Sequence, residues 1–253
     1  EFCMINILNR DDQDDIGVAS NYAKMRFWSP DFMIKQFDQL IDLGVRTLRI
    51  CDEMFLLNRK YYSPLCKKLS DKGYGDLLNM WAYSRVDTIK KPENLKIIRE
   101  AGIKWLALGI ESGDKNIRLQ ASKGKFEDVD IQDIVKKVHD ADIEIIANYL
   151  FGLHGDTFES MQKTLDLGLE LCTIAWNAYA VMALPGSGLY KEAIEKDFEL
   201  PDDYTGYSFY SYNTKPLPTE KLLPSEILKF RDEAFTTYHT HKPFLDKIRI
   251  KYG

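Results

Sequence analysis

Apolar and polar positions repeat with two periods along this chain, and the two periods take turns. Strand-like alternation, with β-branched and aromatic enrichment, predicts strands over Val45–Cys51, Leu77–Ser84, Lys104–Ile110, Ile143–Phe151 and Ile174–Ala183. Helical spacing of apolar residues predicts helices over Asp31–Leu43, Arg59–Asp71, Pro92–Ala101, Asp130–Ala141 and Thr157–Leu171. Gly44, Gly73 and Gly102 stand just past three helix ends, where a left-handed residue closes a helix at low cost, and Asp142 fills the same slot before Ile143. Strand midpoints recur about every 30 to 40 residues, the length of one βα unit, which implies a parallel sheet with right-handed crossovers.

Beyond Lys191 the pattern changes. A helix over Leu189–Lys196 is followed by an aromatic, turn-rich stretch (Tyr204, Tyr207, Phe209, Tyr210, Tyr212) and a helix over Pro224–Tyr238, with no sixth strand evident. The residues before Asp31 are polar and acidic and read as a loop. The organisation expected is therefore a barrel-like core over residues 1–190 and a helical and aromatic extension over 191–253, packed on that core.

In a parallel sheet the chemistry gathers at the strand C-termini. Those ends carry Cys51-Asp52-Glu53, Ser84-Arg85-Val86-Asp87, Gly109-Ile110-Glu111-Ser112-Gly113, Asn148 with Phe151-Gly152-Leu153-His154-Gly155-Asp156-Thr157, and Ala183-Leu184-Pro185-Gly186-Ser187-Gly188. Each has a plain structural account: Asp52 and Glu53 as helix caps, Arg85 with Asp87 as an ion pair, the glycines as turns. Five polar segments on one rim point instead to a ligand with several hydrogen-bonding groups. Tyr83 is expected to face the barrel interior, and His154 reads as a solvated turn residue.

Composition narrows the classes. With 253 residues, 45% hydrophobic and 29% charged, the chain suits a globular domain able to bury a sizeable core. The length would also suit an eight-stranded β/α barrel, but five strands are counted. A net charge of −5 argues against nucleic acid and anionic membrane surfaces as partners. No apolar run reaches the roughly 20 residues of a membrane span, and no secretory signal is seen, so a cytoplasmic location is expected. The four cysteines (Cys3, Cys51, Cys66, Cys172) are too few and scattered for a disulfide framework. Cys51, Cys66 and Cys172 read as small core residues.

Taken in order and spacing, these segments resemble the radical S-adenosylmethionine (SAM) superfamily, in particular the branch often fused to an N-terminal cobalamin-binding domain. Glu1-Phe2-Cys3 matches the end of that family's C-x3-C-x2-C signature, an aromatic residue followed by the last cysteine. Cys51-Asp52-Glu53 resembles the segment that meets the amino group of SAM. Gly109-Ile110-Glu111-Ser112-Gly113-Asp114, with Leu119 and Lys123-Gly124, resembles the fourth-strand region that contacts the ribose and carboxylate. Residues 151–157 resemble a G-L-P-G-E-T turn with His154 and Asp156 in place of Pro and Glu, and Leu184–Tyr190 resembles the P-G-T-x-L-Y turn near the adenine.

The resemblance implies a partial (β/α)6 TIM-like barrel of α/β class whose first strand and first two cluster cysteines precede Glu1. It implies Cys3 as a ligand of a 4Fe–4S cluster, whose open iron would bind SAM. Phe2, Asp52, Glu53, Arg85, Glu111, Ser112, Lys123 and Asn148 are the expected SAM-site residues. A carboxylate such as Glu111 can accept from both hydroxyls of a ribose diol, while Ser112, Arg85 or Lys123 would meet the SAM carboxylate and Phe2 the adenine. The implied activity is reductive SAM cleavage, then hydrogen abstraction or methyl transfer on an unidentified substrate, with flavodoxin or ferredoxin as electron donor and cobalamin supplied by another domain. Two other readings stay open: an iron-independent barrel lyase or isomerase using Glu111 and Lys123, and a non-catalytic scaffold binding a partner through its aromatic segment.

Overall fold

A polar cap and a proline start the first helix. Ser29 Oγ accepts from the Phe32 N–H at 3.2 Å, Pro30 fills the first turn, and α1 (Pro30–Asp42) buries Ile34 and Phe37. The computed structural model describes residues 27–52, 54–122 and 129–253. In chain order follow β1 (Thr47–Arg49), α2 (Arg59–Asp71), α3 (Tyr74–Leu77), β2 (Asn79–Arg85), α4 (Pro92–Glu100), β3 (Ile103–Glu111) and α5 (Lys115–Ser122). Then come α6 (Ile131–Asp140), β4 (Glu144–Phe151), α7 (Phe158–Leu171), β5 (Ala175–Ala180), α8 (Gly188–Glu195), α9 (Pro224–Thr240) and α10 (Lys242–Tyr252).

The five strands form one parallel sheet in the order β1-β2-β3-β4-β5, a half-barrel with helices on its outer face. Every βα crossover therefore steps to the adjacent strand, as the alternating pattern requires. Along β4 burial alternates at each position: Ile145, Ala147, Tyr149 and Phe151 face the helices and are buried, while Glu144, Ile146, Asn148 and Leu150 are half-buried on the other, concave face. Each fully buried aliphatic or aromatic side chain contributes about 1.5–3 kcal/mol by area, so this outer-face core anchors the sheet.

The C-terminal helices close the edge at β5. Trp176 stacks on Tyr238 of α9 with ring centroids 5.1 Å apart and planes 11° apart, and the Tyr238 hydroxyl donates to the Thr173 carbonyl at 2.6 Å. Phe244 of α10 packs on Tyr238 in turn, at 5.1 Å. Gly168 of α7 leaves room for this arrangement, since a Cβ there would lie 2.6 Å from Trp176 Nε1.

Several expected boundaries shift. β1 holds three residues instead of seven and β5 stops at Ala180, because the flanking residues leave the ladder at the sheet edges. The chain after Gly73 enters the short α3 before reaching β2, and α5 and α10 are helices that the pattern did not predict. Gly44, Gly73, Gly102 and Asp142 all take positive φ (83°, 72°, 99° and 57°), as their helix-end positions predict. Cys66 is buried in the core and burial pushes its thiol up to about 12, whereas Cys51 is exposed, contrary to its expected core place. Cys51 sits two residues past the end of β1. No helix among the described residues is long and apolar enough to cross a membrane.

Candidate functional site

The concave face carries a polar row at the strand C-termini. Pairing places Arg85, Gly109, Asn148 and Asn177 opposite one another on β2, β3, β4 and β5. Asn177 Nδ2 donates to Asn148 Oδ1 at 2.9 Å, which orients the Asn148 amide across the two strands. At β3 the ladder shifts register between Gly109 and Glu111, and Glu111 takes φ of 69°. A bulge of this kind re-aims the following side chain. Here it folds Glu111 back over Gly109: a Cβ added at 109 would stand 2.5 Å from Glu111 Oε1. The carboxylate therefore fills the gap that the glycine leaves in the row, between Arg85 and Asn148.

Burial raises the Glu111 carboxyl to about 7, and no cation among the described residues offsets that effect. It forms no hydrogen bond or ion pair among the described residues. A half-buried carboxylate without a partner among the described residues is open to a donor from a ligand.

The other expected residues are placed differently. Arg85 grips Asp87, with Nε to Oδ1 at 2.8 Å and Nη2 to Oδ2 at 2.5 Å, the bidentate ion pair that the spacing allowed as its structural reading. Ser112 is fully buried beneath the rim, its hydroxyl 3.2 Å from Thr164 Oγ1 of α7 and accepting from the Asp114 N–H at 3.2 Å. That hydroxyl ties the loop after β3 to α7 and is not presented to the concave face. Gly113 beside it accommodates the Lys163 carbonyl, which a Cβ at 113 would overlap. Asp52 is exposed just past β1. Phe2, Cys3, Glu53 and Lys123 lie outside the described residues.

The turn after β4 is held from within. Asp156, buried, accepts from the Gly152 and Leu153 N–H groups through Oδ2 at 3.0 and 2.9 Å and from Ser160 Oγ through Oδ1 at 2.6 Å. Thr157 and Ser160 then cap α7 reciprocally, at 3.2 and 2.8 Å. His154 is half exposed, its Nδ1 3.1 Å from Glu220 Oε1. In the aromatic stretch, Phe209 and Tyr210 pack on Tyr179 of β5 at 4.9 and 6.0 Å, while Tyr204 and Tyr212 are exposed.

Two concave-face residues were missed by sequence reasoning. Asn177 shares the phase of Asn148 one strand on, a signal that only the pairing register makes visible. Arg49 is one of two arginines in the predicted strand Val45–Cys51, and nothing in the strand pattern separates it from Arg46. Among the described residues no group of three or more His, Cys, Asp or Glu is placed to hold a metal ion.

A parallel half-barrel with polar side chains converging on its concave C-terminal rim is the core of a β/α-barrel type of protein. The chain belongs to the radical SAM superfamily, whose profile matches residues 1–168. It is 23% identical over 202 residues to anaerobic magnesium-protoporphyrin IX monomethyl ester cyclase of Cereibacter sphaeroides, covering 77% of this chain and 32% of that protein. It is 28% identical over 185 residues to hopanoid C-2 methylase of Rhodopseudomonas palustris, covering 70% and 34%. The chain thus spans about a third of the length of these relatives. Among solved structures it resembles the radical SAM methyltransferase TsrM from Kitasatospora setae, with cobalamin and a 4Fe–4S cluster bound. The TM-score is 0.60 at 17% identity, over 80% of this chain and 38% of that one.

Proposed function

We propose that the concave face binds SAM beside a 4Fe–4S cluster and that the chain is the catalytic core of a radical SAM enzyme. The observation that carries this reading is Glu111: a desolvated carboxylate without a partner among the described residues, set over a glycine at the rim. Its two oxygens suit the ribose diol of SAM, and a carboxylate at this place also favours the positive charge that SAM brings. Asn148, oriented by Asn177, adds an amide donor in the same row. Asp52, exposed past β1, serves the ammonium of SAM, and Glu53 and Lys123 are assigned to the same pocket with Phe2 beside the adenine. Cys3 is assigned to the cluster. Arg85 acts by holding Asp87, and Ser112 by fixing the loop after β3 through Thr164.

When bound, the cluster with SAM supplies one-electron reductive cleavage of the sulfonium. The chain's own residues orient SAM and exclude water, which the half-buried rings of Trp81, Tyr83 and Tyr179 on the concave face help to do. Methyl transfer to an unreactive carbon is the favoured reaction, supported by the methylase and methyltransferase among the relatives, with cobalamin carried by a further domain and flavodoxin or ferredoxin as electron donor.

The test compares SAM binding by calorimetry in the wild type, Glu111→Gln and Glu111→Ala, then follows reconstituted protein under anaerobic reduction for 5′-deoxyadenosine or S-adenosylhomocysteine. Loss of SAM affinity by tenfold or more in Glu111→Ala supports the reading. SAM binding indifferent to both variants, with neither product formed, would overturn it.

A further inference from the structure

The concave face holds a second feature, away from Glu111. Arg49 of β1 lies over the Trp81 ring at 4.7 Å and the Tyr83 ring at 5.2 Å, and its Nη2 donates to the Tyr83 hydroxyl. Trp81 and Tyr83 themselves pack at 5.7 Å. The guanidinium thus lies against two rings, yet it is exposed and has no carboxylate partner among the described residues. Beneath it the buried Trp81 indole N–H has no acceptor among the described residues. Among the described residues this corner of the sheet is rich in donors and short of acceptors.

The opposite wall is aromatic as well. Tyr179 of β5 faces the same concavity, backed by Phe209 and Tyr210, and Tyr210 is in turn braced by the Arg231 guanidinium at 5.5 Å. The curvature of the half-barrel brings the two walls within electrostatic reach: burial raises the Tyr179 hydroxyl to about 12, the Tyr210 and Tyr83 hydroxyls add to that, and Arg49 opposes it. The result is a basin with aromatic rings on both sides and one planar cation that no carboxylate among the described residues compensates.

We propose that this basin takes the substrate, a planar conjugated carboxylate, with Arg49 anchoring its carboxylate and the Tyr83 and Tyr179 rings flanking its plane. The proposal rests on the reading of the same face as a SAM site and names what is bound beside SAM. A guanidinium held beside two aromatic rings and tied by one hydrogen bond has its remaining N–H donors pre-positioned, and their planar fork is what a carboxylate accepts in bidentate fashion. The flat walls reward a rigid ring system over a flexible chain, because stacking on them orders few rotors. A positive charge left unpaired beside a neutral ligand would gain nothing from it.

Fluorescence titration of the full chain with pyrene-1-carboxylate and with 1-pyrenemethanol tests this, since the two share a ring system and differ in charge. The expected result is a preference for the acid of about tenfold, equivalent to ~1.4 kcal/mol. That preference disappears in Arg49→Gln, persists in part in Arg49→Lys, and survives in Tyr179→Ala while both ligands weaken together. Circular dichroism establishes that each variant is folded, and Arg49→Lys retains the charge should Arg49→Gln fail to fold. An undiminished preference in Arg49→Gln, no preference or no binding in the wild type, or competitive displacement of the acid by SAM would each overturn the proposal. The titration needs no cluster, so its failure is separable from failure of the SAM-binding reading, which the Glu111 variants report.

Discussion

Glu111 lies folded over Gly109, its Oε1 occupying the space where any side chain at 109 would begin, 2.5 Å from an added Cβ. The relationship couples a missing side chain to the position of the most perturbed carboxyl on the concave face. Gly109→Ala therefore swings the carboxylate out of the row between Arg85 and Asn148 and into solvent. The expected outcome is a fall of the Glu111 carboxyl from about 7 towards the ordinary carboxylate range, read from the carboxyl stretch in infrared difference spectra against Glu111→Gln. An unchanged midpoint in Gly109→Ala would show that the glycine does not position Glu111.

The same carboxyl makes stability depend on pH. Its value in the folded chain lies above that of the unfolded chain, so the folded state binds the proton more tightly. Below the ordinary carboxylate range both states are protonated and nothing is lost. Between that range and about 7 the unfolded chain releases its proton first and stability falls as pH rises; above about 7 the penalty is complete, roughly 3 kcal/mol. Glu111→Gln removes the penalty. Urea unfolding should show the variant more stable than wild type by about 1–3 kcal/mol at pH 8 and nearly level with it at pH 4. Equal gains at both pH values would assign the effect to packing.

Much of this arrangement is legible in the sequence, and the limits are physical. The five strands and seven of the helices follow from periodicity, because a sheet covered by helices on one face imposes strict alternation on strands such as Glu144–Phe151. Glu111 and Asn148 are legible as rim residues for the same reason. The bulge at Gly109–Glu111 is not, since register shifts arise from pairing with β4. The burial of Ser112 is not legible either, because it depends on Thr164, fifty-two residues away on α7. Helix α5, with only Ile117, Leu119 and Ala121 as apolar residues, offers too short a stripe to detect. Arg49 gains its meaning only when β1 and β2 pair and bring Trp81 and Tyr83 beneath it.

Asp156 is the residue on which the turn after β4 depends. Its carboxyl is raised to about 6, burial outweighing the three hydrogen bonds that favour the ionised form. Asp156→Ala leaves the Gly152 and Leu153 N–H groups buried without an acceptor and should cost about 2–4 kcal/mol in urea unfolding. Asp156→Asn keeps one oxygen for those N–H groups and turns its amide towards Ser160, so its cost should be under about 1.5 kcal/mol. Equal costs for the two variants would mean that charge, and not acceptor geometry, holds the turn.

Cysteine reactivity gives a check on the placement of β1 and α2. The thiolate is the reactive species, so a thiol raised to about 12 and sealed in the core is inert at neutral pH. Cys66 meets both conditions, packed on the inner face of α2. Cys51, exposed just past β1, is open to solvent. A brief pulse of iodoacetamide at pH 8 followed by peptide mass spectrometry should therefore modify Cys51 in the native chain and reach Cys66 only after urea is added. Arg49 lies two residues before Cys51, so labelling of Cys51 also reports whether this edge of the concave face is open. A native chain in which Cys66 reacts as fast as Cys51 would contradict the packing of α2 against the sheet.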